Sequence, residues 1–139
     1  MDRWVINRLT HELNNSGFEW ISPSERVIQF QYKKRKIVVN LPLNYPFVPP
    51  KIYVDDKLIA YNPYNFPKRL WDNYCNYKPC PCCVNLLCSN TWSPVISMYS
   101  IIEEYLEFIN KLKLYYKFKL FKQINRLPHD INYIIFEFL

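Results

Sequence analysis

All five cysteines of the 139-residue chain, Cys75, Cys80, Cys82, Cys83 and Cys88, fall in one window that runs on into Trp92-Ser93-Pro94. Cysteine does chemistry as the thiolate, which is both a nucleophile and a soft metal ligand, so this crowding points to thiol chemistry or metal binding. An odd number of thiols cannot all pair within one chain, which argues against a simple disulfide framework. The sequence passes from Met1-Asp2-Arg3-Trp4 straight into an amphipathic pattern, without the charged and apolar regions of a secretory leader. A reducing, cytoplasmic setting is therefore expected.

The spacing C-x4-C-x-C-C-x4-C supplies enough sulfur for a tetrahedral zinc site, although it lacks the paired C-x-x-C knuckles of well-defined zinc modules. If residues 82 to 84 are extended, Cys82 and Cys83 point to opposite sides of the backbone. Zinc held by Cys75, Cys80, Cys82 and Cys88 would then leave Cys83 free to face a groove. Ligand bonds would also order a stretch from Asn62 to Cys83 that is rich in Asn, Pro, Tyr and Cys and has no sustained period. The competing reading makes several of these thiols small buried hydrophobes.

The elements that must position the cysteines are legible from periodicity. Val5, Leu9 and Leu13 recur at helical spacing within Asp2 to Asn15, and Gly17 follows where a left-handed cap would lie. Phe18 to Ile21, Val27 to Tyr32 and Ile37 to Leu41 read as an antiparallel meander, with Lys33-Lys34-Arg35-Lys36 as a charged hairpin tip. Pro42 and Tyr45-Pro46-Phe47-Val48-Pro49-Pro50 cannot lie inside a sheet, so a rigid extended loop is predicted before a strand at Ile52 to Val54. Ser93 is the expected cap and Pro94 the first-turn residue of a second helix starting near Val95, carrying Ile101, Ile102, Tyr105, Leu106, Ile109 and Leu112. Between Lys111 and Lys122 lysines interleave with Leu, Tyr and Phe, and core packing is the expected role of those apolar residues. After Leu127-Pro128-His129-Asp130 a short terminal helix is expected.

Composition fits one domain: 50% apolar and 18% aromatic residues can fill a core, and the longest apolar runs are too short to span a bilayer. A net charge of +6 would suit an acidic partner, and the lysines from Lys111 to Lys122 would be the nucleic-acid contact. A solvated basic face explains the charge more simply, and nucleic acid is not the expected partner. The density of Asn, Ile, Lys and Tyr points to an A/T-rich genome, such as that of a large DNA virus or a protist.

The order of helix, three-strand meander, Leu41-Pro42-Leu43-Asn44-Tyr45-Pro46-Phe47-Val48-Pro49-Pro50-Lys51-Ile52, cysteine segment, Trp92-Ser93-Pro94 and helix resembles the ubiquitin-conjugating enzyme catalytic domain. The resemblance covers about Asp2 to Leu114 and implies an α+β fold over residues 1–114, with residues 115–139 as a helical extension packed on it. It implies that Cys83 accepts ubiquitin or a similar modifier from an activating enzyme as a thioester and passes it to a lysine. The family places His-Pro-Asn shortly before its cysteine; here the equivalent is Tyr74-Cys75-Asn76, which leaves Asn76 as the residue to organise the site and stabilise the oxyanion. The resemblance also places Phe47 and the Ser93-Pro94 loop on the surface that ligases grip; an exposed Phe47 would favour that role and a buried one packing. The missing His-Pro favours an alternative, a catalytically silent, zinc-stabilised binding module. Separately, Leu127-Pro128-His129-Asp130-Ile131 with Ile134, Ile135, Phe138 and Leu139 looks like the start of an F-box motif, against which stands a simple docked amphipathic helix.

Overall fold

In a computed structural model, which describes residues 2–14, 16–61 and 85–124, the chain forms an α+β fold with an N-terminal helix, a five-stranded antiparallel sheet and a C-terminal helix. Helix α1 spans Arg3–Leu13 and buries Val5, Leu9 and Leu13, the stripe predicted from their spacing. The Ser16 amide and hydroxyl both donate to the Leu13 carbonyl, and Gly17 adopts φ +65°, which reverses the chain into the sheet.

Strands β1 (Glu19–Ser22), β2 (Val27–Tyr32), β3 (Arg35–Asn40), β4 (Lys51–Val54) and β5 (Lys57–Leu58) lie in sequence order, each paired antiparallel with the next. Alternation sends one side of β2, β3 and β4 inward. In register, Phe30 faces Ile37 and Ile37 faces Val54, while Ile28 faces Val39 and Val39 faces Ile52. These two cross-strand rows are all buried and form the floor of the core.

Helix α2 (Met98–Ile124) lays Met98, Ile101, Ile102, Tyr105 and Phe108 into that same core. Tyr99 packs edge-on against Phe30, with centroids 6.1 Å apart, and stacks on Tyr32 at 4.9 Å. The helix starts later than the sequence predicts. Ser93 to Ile96 closes as a turn through the Ile96 amide and the Ser93 carbonyl, 3.0 Å apart. Pro94 therefore takes the second position of a turn, which its fixed φ also suits, and it is Ser97 that accepts from the Ser100 amide at 3.1 Å.

The segment between β3 and β4 is also coiled rather than extended. The amides of Tyr45, Phe47 and Val48 donate to the carbonyls of Pro42, Asn44 and Asn44 at 3.1, 2.8 and 3.2 Å, and the Tyr45–Pro46 peptide is cis. The α2 helix runs unbroken across residues 114 and 115. Core packing reaches Leu112, but Leu114, Tyr116 and Leu120 are exposed, so beyond Leu112 these apolar side chains do not fill the core as expected. No described helix is long and apolar enough to cross a membrane. The terminal helix and the F-box-like motif expected after Leu127 lie outside the described residues.

The β2–β3 and β4–β5 turns are made without glycine. Lys33 and Lys34 have φ of 49° and 64° between the paired Tyr32 and Arg35, and Asp55 and Asp56 have 48° and 68° between Val54 and Lys57. Both turns need left-handed residues to match the strand twist. The acidic turn pairs with the start of β3, where the sequence predicted part of the hairpin tip, with Arg35 3.1 Å from Asp55 and Lys36 2.6 Å from Asp56, while Lys33 of the basic turn pairs with Glu103. A left-handed lysine is strained, and glycine relieves that at some cost in chain entropy. Lys34→Gly is therefore expected to raise stability by roughly 0.5–1 kcal/mol in urea denaturation.

Candidate functional site

The two proline motifs are fastened to one another. The Trp92 indole N–H donates to the Pro46 carbonyl at 2.8 Å, across 46 positions of sequence, and the Trp92 ring packs against the core. Pro46 itself is fully buried, so the bond satisfies an acceptor far from bulk water. On the far side of this link the chain turns outward: Phe47 is 75% exposed, with Leu43, Val48 and Val95 also exposed and Ser93 and Pro94 half-buried. The sequence-predicted partner-binding residues Phe47, Ser93 and Pro94 thus lie on loops joined by one hydrogen bond.

Helix α1 braces this arrangement. Arg8 donates to the Ile96 carbonyl at 3.2 Å and lies 5.6 Å from the centroid of the buried Tyr45 ring. Glu12, paired with Arg8, accepts from the Met98 amide at the start of α2. One helical turn of α1 therefore touches the beginning of α2, the loop after Trp92 and the loop that carries Phe47.

Of the sequence-predicted thiols and their companion amide, Cys75, Asn76, Cys80, Cys82 and Cys83 lie outside the described residues. Cys88 is described and half-buried. Its amide donates to the Asn85 carbonyl at 3.2 Å, and its own carbonyl accepts from Thr91 at 2.9 Å and Trp92 at 2.7 Å. The cysteine closest to Trp92 in sequence is thus built into the turn that aims the indole at Pro46.

A residue the sequence reading passed over stands beside this turn. Glu104 lies three residues after Ile101 and four before Phe108, which places a carboxylate on the apolar stripe of α2. Its Oε1 accepts from the Tyr61 hydroxyl at 2.9 Å and from the Leu86 amide at 3.0 Å. Burial raises its pKa above the ordinary carboxylate value, with nearby Glu107 adding to the rise and the bonds from Leu86 and Tyr61 opposing it. The neighbouring Glu103 faces Tyr32 and Lys33 instead. Hydrogen bonds from Lys33 and Tyr32 lower its pKa, while the Tyr32 phenol, donating to Glu103, is pushed up to about 12.

Comparison of the chain with protein-family models, with curated proteins and with solved structures finds no match.

Trp92→Phe leaves the Pro46 carbonyl unpaired and is expected to cost about 1–3 kcal/mol in urea denaturation, whereas Phe47→Ala changes stability by less than about 0.5 kcal/mol. A carboxyl whose pKa is raised on folding adds stability that is complete below its unfolded value and is lost as pH rises through the folded value. Glu104→Gln removes that contribution. Its stability relative to the native chain should therefore improve as pH rises above the ordinary carboxylate value of about 4.3, as read from paired thermal melts.

Proposed function

We propose that this chain is a ubiquitin-conjugating-enzyme-like protein that carries ubiquitin or a similar modifier on Cys83 as a thioester and transfers it to lysine. The observation that carries the reading is the bond from Trp92 to Pro46. It ties together the two motifs on which the resemblance rests, and it does so with Phe47 left in solvent. The helix, antiparallel meander and second helix are compatible with that family's order of elements.

The chemistry asks little of bond energies. The Cys83 thiolate attacks the carbonyl carbon of the modifier's thioester on the activating enzyme, a new C–S bond forms, and the activating enzyme's sulfur leaves as thiolate. A substrate lysine amine then attacks the Cys83 thioester, loses a proton and releases the Cys83 sulfur. Because one thioester replaces another, the protein's contribution is mainly positioning. In this reading the Asn76 amide donates to the oxyanion, and Phe47, Ser93 and Pro94 contact the ligase.

A second reading is favoured by one observation, the Tyr74-Cys75-Asn76 that stands where the family has His-Pro-Asn. Here the chain is a silent binding module, and the thiolates of Cys75, Cys80, Cys82 and Cys88 form a donor set suited to zinc. Single-turnover charging with activating enzyme, ATP and ubiquitin separates the two readings on a non-reducing gel. The enzyme reading expects a reductant-sensitive adduct that is lost in Cys83→Ser. It also expects Asn76→Ala to slow discharge to lysine by about 10²–10³-fold. No adduct from folded protein, together with one zinc per chain by native mass spectrometry, would establish the second reading.

A further inference from the structure

The Tyr61 hydroxyl and the Leu86 amide donate to the same oxygen, Glu104 Oε1, at 2.9 and 3.0 Å. Four of the five cysteines lie in the chain between these two residues. We infer that Glu104 is a positioning residue, a single acceptor that pins together the two ends of the cysteine segment and so governs how its thiols are presented.

Three features make this a built junction. Glu104 is carried by a helix whose rotation is fixed by the burial of Ile101, Ile102, Tyr105 and Phe108, so the acceptor is held in place by core packing. The Tyr61 ring is wedged edge-on against Tyr105 and Phe108 of the same helix, with centroids 6.2 and 4.9 Å away, which aims its hydroxyl along α2. On the other side, Asn85 is buried and its Oδ1 accepts from the Leu87 amide at 3.1 Å, so Leu86 enters the junction from a turn already closed. Hydrogen bonds to a carboxylate are stronger than those to neutral acceptors.

The inference concerns the segment's ends and rests on the proposed thioester chemistry only for its activity readout. Its test uses the full chain with Glu104→Ala, Glu104→Gln and Tyr61→Phe at neutral pH. Hydrogen exchange is read at the Leu86 amide, and iodoacetamide alkylation is read at each cysteine by mass spectrometry. Glu104→Ala is expected to speed Leu86 exchange about tenfold or more and to change the alkylation rates of Cys75, Cys80, Cys82 and Cys83. Glu104→Gln, whose amide oxygen accepts the same two bonds, should restore both toward native. Tyr61→Phe deletes one hydroxyl and should alter alkylation in the same direction as Glu104→Ala; it decides the matter if the alanine variant does not fold.

Native alkylation rates in both Glu104→Ala and Tyr61→Phe would overturn the role, as would a glutamine variant no better than alanine. If the native chain charges, Glu104→Ala should lower the charging rate constant without changing half-saturation by activating enzyme. If the native chain does not charge, exchange and alkylation still decide the role of Glu104, and only the thioester reading falls.

Discussion

Burial of one face of α2 on the inner side of the sheet is the interaction on which the other features depend. Met98, Ile101 and Ile102 are fully buried, as are the Ile28, Val39 and Ile52 that form one cross-strand row beneath them. Complete burial of side chains of this size contributes roughly 1.5–3 kcal/mol each. It also fixes the rotation of the helix, because apolar side chains brought to solvent would lose that gain. With rotation fixed, every polar residue on the flanks of α2 acquires a definite direction. Glu103 reaches the tip of the β2–β3 hairpin and Glu104 reaches the residues that flank the cysteine segment.

The loops are held from a second direction by α1. Its buried stripe seats it in the same core, and the adjacent face offers Arg8 and Glu12 to the Ile96 carbonyl and the Met98 amide. The loop bearing Phe47 is thereby placed between two fixed bodies: Tyr45 is buried beside Arg8, and Pro46 is bonded to Trp92. A large ring standing in solvent on a firmly seated loop loses little conformational freedom when a partner covers it, which makes it an economical contact for binding.

Much of the scaffold was legible in the sequence because periodicity is a direct record of burial. Val5, Leu9 and Leu13 marked α1, and the alternation of Ile28 and Phe30 marked β2 to its observed ends. Lys57–Leu58 is too short to show a period, and β5 was missed for that reason. The start of α2 was misjudged because Ser-Pro suits a turn as well as a helix entry, and only the hydrogen bond into Ser97 distinguishes them. The exposure of Phe47 could not be read from a proline-rich run that has no repeat. Glu104 left a usable signal, a lone acid on an apolar stripe, yet its partners Tyr61 and Leu86 are far away in sequence and nothing local names them. Cys83 and Asn76 were reached from motif order alone, which ranks residues by spacing and carries no information on their surroundings.

Glu103 and Glu104 are consecutive, yet they serve loops on opposite flanks of one helix. Successive residues on an α-helix are offset by about 100°, so the two carboxylates behave like a pair of index pins set at a fixed angle on a shaft. Inserting or deleting a single residue between Met98 and Glu103 would turn both pins together relative to the buried face. No compensating shift along the helix could return one to Tyr32 without carrying the other away from Tyr61. The first turn and a half of α2 is therefore a segment whose length, more than its chemistry, is constrained, and natural variation there should be confined to substitutions.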